Sequence, residues 1–236
     1  MRVGITLPQF RPTVAASLAA ARTAESSGLD GVFVFDHVWS IGNPDRPARS
    51  AWPLLGALAG ETDRLYLGPL VARVSLLPNA VLAHNLETLH RMVGERLLAG
   101  LGAGDHLSEA ENVAVGVPFP PATERLAALA DACSRVRDLG ITVWVGGLSE
   151  KVHRLAVAGA DALNLWGVEP ERVAAVHDIE VTWGGPAPKD AVAAADLLDR
   201  LRSAGATWAV LGPPYGADDD PTAAVEMVAG AAATLR

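Results

Sequence analysis

Eight short apolar runs, each followed by a segment with helical spacing, set the strongest limit on how this chain can fold. The runs are 2–7, 31–35, 65–71, 96–101, 141–145, 161–166, 179–183 and 207–211, rich in Val, Ile, Leu and Trp. Near-continuous apolar runs of this length suit parallel strands covered on both faces. Between them, apolar residues recur at helical intervals. Leu82, Leu86, Leu89 and Val93 do so in 79–93, and Leu126, Leu129, Ala130, Cys133 and Val136 in 122–139. Gly28, Gly140 and Gly205 stand just past the last turns, while Pro12, Pro78, Ser149 and Pro221 mark helix starts. A strand–helix pair repeated eight times predicts an α/β protein, a compact (β/α)8 TIM barrel with short insertions, in one domain spanning 1–236. An open doubly wound sheet is the alternative topology. The sixth helix, near 170–177, reads as stunted.

Composition narrows the partners. Half of the 236 residues are apolar, enough to bury a large core. The net charge is −8, and Lys151 and Lys189 are the only lysines among nineteen basic residues. Without a basic tract, nucleic acid and anionic membrane are not expected as partners. No run of about 18 apolar residues suggests a membrane span. The opening "MRVGITLPQF" enters a strand pattern at once, without a basic-then-apolar leader. A lone cysteine, Cys133, sits on a helix stripe and reads as a core residue, so a reducing cytoplasm is the expected setting.

In a (β/α)8 barrel the chemistry gathers where strands end and βα loops begin. The second run ends in Asp36-His37, two titratable groups placed to orient a ligand or move a proton. The fourth ends in Gly102-Ala103-Gly104-Asp105-His106. Its glycines have the wrong spacing for a dinucleotide fingerprint, but let backbone approach a flat ligand. The fifth ends in Gly146-Gly147-Leu148-Ser149, followed at once by a helix start, which makes a natural phosphate cradle. The sixth delivers Trp166. Arg73 is unusual at such a mouth and has three candidate partners: Asp36, Asp105 or an anionic ligand. Asp105, His106 and Glu109 cluster in one loop, but no metal site is assigned to them.

These pieces, taken in order, carry a family resemblance. "GLDGVFVFDHVW", "RLYLGPLVARVSLLPNAVLAHNLETLHRMVGERLLAGLGAGD", "ITVWVGGLSEKVHRLAVAGADALNLWG" and "AGATWAVLG" resemble the luciferase-like monooxygenase superfamily nearly end to end. Members are (β/α)8 enzymes that use reduced FMN or the deazaflavin F420. The resemblance implies that Asp36 and His37 face the cofactor ring and are the catalytic candidates. It implies that Leu70, Val71 and Ala72 form a bulge, often with a non-proline cis peptide, that supports the ring. Gly102, Ala103, Gly104 and Asp105 would surround ring and substrate, Gly146, Gly147, Leu148 and Ser149 would receive the phosphate, and Trp166 would complete the cofactor contacts. Two departures stand out. Asp105-His106 replaces a frequent Trp, and Arg73 replaces an uncharged residue.

The expected function is therefore hydride transfer between reduced F420, or alternatively FMN, and a small organic substrate, with monooxygenation a related outcome. Homodimerisation is an expectation from the resemblance alone. The family's members are usually longer, with insertions over the substrate. The short loops here motivate a second expectation, an accessory protein that binds cofactor without catalysis.

Overall fold

The computed structural model describes residues 1–40, 42–214 and 220–235. The expected alternation closes into a barrel. Strands β1 (Arg2–Thr6) and β2 (Gly31–Val34) come first, and an antiparallel hairpin follows, β3 (Trp39–Ser40) with β4 (Asn43–Pro47). The third barrel strand is in two pieces, β5 (Tyr66–Pro69) and β6 (Ala72–Arg73). The remaining barrel strands are β7 (Leu98–Gly102), β8 (Thr142–Gly146), β9 (Ala162–Trp166), β10 (Glu180–Pro186) and β11 (Trp208–Gly212).

Within the sheet the order is β5-β2-β1-β11-β10-β9-β8-β7-β6, with every pair parallel. A bridge between Leu67 and Leu97 joins β5 back to the start of β7. The sheet thus returns on itself, and the open doubly wound alternative is set aside.

Helices pack outside: α1 (Ala15–Ser26), α2 (Ala51–Glu61), α3 (Asn79–Val93), α4 (Glu109–Ala114), α5 (Ala122–Asp138), α6 (Glu150–Gly159), α7 (Pro170–Ala174), α8 (Ala191–Ser203) and α9 (Pro221–Ala233). The stripe on α3 is buried as expected, at Leu82, Leu86, Leu89 and Val93. On α5 the buried set is Leu129, Ala132, Cys133 and Val136, whereas Ala130 faces out. Gly28, Gly140 and Gly205 end their helices with φ of 83°, 76° and 93°, the left-handed region that favours glycine.

Three differences from the sequence reading have physical causes. The run 65–71 is not one strand: it pairs with β2 through Pro69, the Leu70–Val71 peptide is cis, and the chain rejoins the sheet at Ala72 beside β7. The β3–β4 hairpin had no sequence signal. "NPDRP" has two prolines and no alternation, features tolerated only at a sheet edge. Between β7 and the helix read at 122–139, where the sequence offered no element, the chain forms a 3₁₀ turn at His106–Ser108 and helix α4.

An aromatic group fills the barrel interior. Phe33 on β2 stacks on Trp144 of β8 at 5.5 Å, and meets Trp208 of β11 edge-on at 5.9 Å. Trp144 and Trp208 are 5.5 Å apart. These strands are not neighbours, so the rings touch across the barrel axis. Each such pair contributes about 0.5–1.5 kcal/mol beyond burial of its area. Around this lies the larger apolar layer between strands and helices, with Ile5, Leu55, Leu67, Leu86 and Val143 fully buried.

The tightest point is the closing seam. A Cβ at Gly68 on β5 would lie 1.8 Å from the Leu98 carbonyl oxygen of β7. Gly68→Ala should therefore cost at least about 2 kcal/mol by overpacking a site that cannot relax. Gly56→Ala, on α2 with nothing within 4 Å of its added Cβ, should be neutral or stabilise by about 0.5–1 kcal/mol. Urea denaturation of the two variants checks the contrast.

Candidate active site

The chain leaving β2 at the C-terminal end of the barrel runs directly into the polar cluster of the mouth. Asp36 is 6 % exposed, and its Oδ2 accepts the Arg73 backbone N–H at 3.0 Å. Arg73 Nε donates to the Asp36 carbonyl oxygen at 2.8 Å. These two bonds tie the β2 end to β6. Burial pushes the Asp36 carboxyl above the usual carboxylate range, while the Arg73 hydrogen bond and the charges of Arg73 and His37 only partly offset it.

His37 does not pair with Asp36. Its Nδ1 lies 2.7 Å from Oε1 of Glu111, a carboxylate on α4 that is 1 % exposed. The other oxygen, Oε2, accepts from Val38 N–H at 2.6 Å and from Arg73 Nη2 at 3.1 Å. Burial pushes the Glu111 carboxyl up. The His37 and Val38 hydrogen bonds, with the charges of His37 and Arg73, outweigh it and hold Glu111 below the usual range. An ionised carboxylate only accepts, so Nδ1 carries the proton. The lone pair of neutral His37 is then on Nε2, the nitrogen with no hydrogen-bond partner among the described residues.

Arg73 thus finds its acid inside the protein. Beyond Asp36 and Glu111, Nη1 donates to Asn112 Oδ1 and the Ser108 carbonyl oxygen, each at 3.4 Å. Asn112 in turn donates to the Ser75 and Pro118 carbonyl oxygens. A guanidinium engaged this fully is a structural hub rather than a ligand contact. Asp105, the other acid considered for it, accepts from the Leu107 and Ser108 N–H groups and caps their turn. Glu111 was missed from sequence because only burial reveals it. The available signal was Arg73 itself, since a cation in an apolar strand demands a buried acid.

The cis Leu70–Val71 peptide stands where the resemblance placed it. The Val71 side chain occupies space that a Cβ at Gly102 or Gly146 would fill. Such atoms would lie 2.5 and 2.7 Å from its methyl groups. Bulge and glycines therefore form one continuous floor, with Leu70 and Ala72 buried beneath it. Beside it, Ala103 accepts from Arg125 Nε at 3.0 Å, and Gly104 turns the chain at φ 72°. At the end of β8, Gly147 (φ 154°) leads through exposed Leu148 to Ser149, whose Oγ caps α6 by accepting Val152 N–H at 3.3 Å. The Glu150 and Lys151 N–H groups have no acceptor among the described residues, as at any helix start.

Trp166 ends β9. Its ring covers Gly184, where a Cβ would lie 2.5 Å away, and meets Phe35 edge-on at 5.6 Å. It walls a cleft of about 460 Å³ on the β1–β9–β10–β11 side of the mouth.

The C-terminal mouth thus carries a glycine floor, a capped helix start and a His–carboxylate pair, on the face where (β/α)8 proteins place their functional sites. The model of the luciferase-like monooxygenase family matches residues 1–140, more than half of the sequence, and the chain belongs to that family. It is 34% identical over 141 residues to an F420-dependent glucose-6-phosphate dehydrogenase of Nakamurella multipartita, covering 58% of this chain and 38% of that protein. The protein of the same name from Kineococcus radiotolerans is 37% identical over 132 residues, covering 56% and 38%. The match takes in less than two fifths of either relative's length.

Among solved structures, an F420-dependent secondary alcohol dehydrogenase in complex with an F420–acetone adduct superposes with a TM-score of 0.84. It is 15% identical, with 100% and 99% of the two chains covered. The F420-dependent tetrahydromethanopterin reductase of Methanopyrus kandleri gives 0.69 at 17% identity, covering 97% and 98%. These likenesses concern the fold. No helix among the described residues is long and apolar enough to cross a membrane.

Two substitutions test the cluster. Arg73→Met strands the buried Glu111 charge and should cost about 3–5 kcal/mol. Asp36→Asn tests the raised carboxyl. Folded Asp36 holds its proton more tightly than unfolded Asp36, so wild-type stability falls as pH rises from about 4 through the elevated folded value. The asparagine variant lacks that fall. Its stability relative to wild type should improve between pH 4 and 7, as read by urea denaturation at both.

Proposed function

We propose that this protein is an F420-dependent oxidoreductase that exchanges a hydride between the deazaflavin and a small organic substrate, with residues 1–236 acting as one barrel domain. The observation that carries the reading is the His37–Glu111 pair, tied by Arg73 to the strand that follows the Val71–Gly102–Gly146 floor. The F420-dependent relatives support the choice of cofactor over FMN.

The residues fit such a group. The floor is flat because Gly102 and Gly146 carry no side chain, and Val71 is its raised centre, suited to one face of a planar ring. Gly147, Leu148 and Ser149 with the start of α6 suit a phosphate. There the free N–H groups and the helix dipole favour negative charge, and Lys151 adds a cation. Bound there, F420 would donate a hydride from the ring in its reduced form or accept one in its oxidised form.

The chain's own work is proton handling. In its neutral form His37, held as the Nδ1–H tautomer by Glu111, presents a lone pair at Nε2. It can accept a proton from a substrate hydroxyl as a hydride leaves, or return one in the reverse direction. Glu111 stabilises the imidazolium that forms, and Arg73 and Val38 keep Glu111 in place. Asp36 holds the loop rather than the imidazole.

Titrating the purified protein with F420 and with FMN, followed by absorbance and fluorescence, tests the reading. F420 should bind saturably and FMN more weakly; failure of both to bind overturns it. Given turnover, His37→Asn should lower it about 100-fold or more with little change in cofactor affinity. Glu111→Gln should lower it about 10- to 100-fold and shift its pH profile.

A further inference from the structure

The connection between β7 and α5 is amphipathic in the inverted sense. Within 105–115 the buried residues are Ser108, Glu111 and Asn112, all polar, and every other residue is exposed. The exposed set includes Leu107, Val113 and Val115, with Val113 at 69 %. A short surface helix ordinarily turns its apolar stripe toward the core. Here α4 meets the barrel mouth through charge and hydrogen bonds instead. Glu111 reaches His37, Val38 and Arg73. Asn112 donates to the Ser75 carbonyl oxygen at 2.6 Å, and the Ser108 carbonyl oxygen accepts from Arg73 Nη1 at 3.4 Å.

Such an attachment fixes geometry, yet it comes apart well below the cost of unfolding the barrel. Buried apolar area is what makes a segment expensive to detach, and no apolar side chain of 105–115 is buried. When the segment lifts as a unit, its charged partners return to water together, and hydration recovers much of what their attraction supplied. Hinges stand at both ends. Gly104 and Gly116 each have φ of 72°, in the left-handed region that glycine enters without strain. A Cβ on Gly116 would meet nothing within 4 Å, so packing does not fix that position. Two such residues can absorb the backbone rotation that lifting requires.

From this combination we infer that residues 105–115 are a switch segment, which docks on the mouth through its polar face and lifts about Gly104 and Gly116. Docked, it covers Arg73, which is 3 % exposed, and Glu111 orients His37. Lifted, His37 loses its carboxylate and the ends of β2 and β6 lose their cover. The part the switch plays in turnover rests on the oxidoreductase reading, whereas the motion itself does not. A deazaflavin ring on Gly102 and Ala103 would border the hinge at Gly104, so bound cofactor favours the docked state.

Hydrogen exchange of the full-length protein, read by mass spectrometry on peptides from 105–115, β7 and β8, tests the inference. After correction for intrinsic rates, the segment should exchange at least about 100-fold faster than the strands. Asn112→Ala and Glu111→Gln should each speed it about tenfold further, with β8 unchanged. The outer-face pair Val113→Ser and Val115→Ser should alter the rate by no more than about twofold. Saturating F420 should slow the segment at least about threefold. Exchange as slow as that of the strands overturns the inference, as does a rate that neither Asn112→Ala nor Glu111→Gln raises. An outer-face variant that accelerates exchange as much as those two overturns it as well, and so does F420 that binds without slowing the segment. A fast, Asn112-dependent segment in a protein that binds neither F420 nor FMN overturns the oxidoreductase reading and leaves the switch standing. A strand-like segment in a protein that binds F420 does the reverse.

Discussion

The barrel closes across a seam where its third strand breaks in two. β5 meets β7 through a single bridge at Leu67–Leu97, and β6 takes over the pairing at Ala72 and Arg73. Between them Gly68 lets β5 approach the Leu98 carbonyl more closely than any side chain allows. The barrel strands away from this seam have a continuous parallel partner on each side. The closing pair instead depends on glycine, a turn at Leu70–Val71 and the side chain of Arg73. Loss of that join would leave two sheet edges and an aromatic interior open to water.

The site is built on the same seam. Arg73 stands on β6, holds the β2 end through Asp36 and grips α4 through Glu111. Glu111 then reaches back to His37 and Val38. A buried ion pair of this sort adds little net stability, because both charges lose their hydration. Its value is positional. Each partner would be costly to leave alone, so the loop after β2, the bulge and α4 are locked in one arrangement. This fixes the tautomer of His37 next to the Val71 floor.

Much of the fold was legible because parallel βα units leave a strong trace. Strands covered on both faces read as apolar runs, and the helices between them keep one stripe. Leu82, Leu86, Leu89 and Val93 were read correctly on that basis, as were the glycine stops at 28, 140 and 205. The β3–β4 hairpin was not legible, because its exposed, proline-bearing strand buries nothing that would pattern it. Ala130 and Ala132 were exchanged on α5 because alanine is small enough to stand on either face without a sequence signature. In the site, Asp36-His37 and the β8 glycines announced themselves as polar or flexible endings of apolar runs. Glu111 did not, since an acid in a short helix among other acids is ordinarily solvated.

The sequence by itself determined the repeating βα order, the ends of most strands and the residues delivered to one face of the barrel. Those properties follow from local hydrophobic periodicity and from the conformational limits of glycine and proline. Only the tertiary structure decided which polar groups pair. Glu111 is 74 positions from His37 and 38 from Arg73, and the three meet because barrel closure brings the ends of β2, β6 and the β7–α4 connection together. It also placed the Trp166 ring over Gly184 and against Phe35. Partner choice among buried charges depends on distance through space and on exclusion of water, and neither is written in the spacing of residues along the chain.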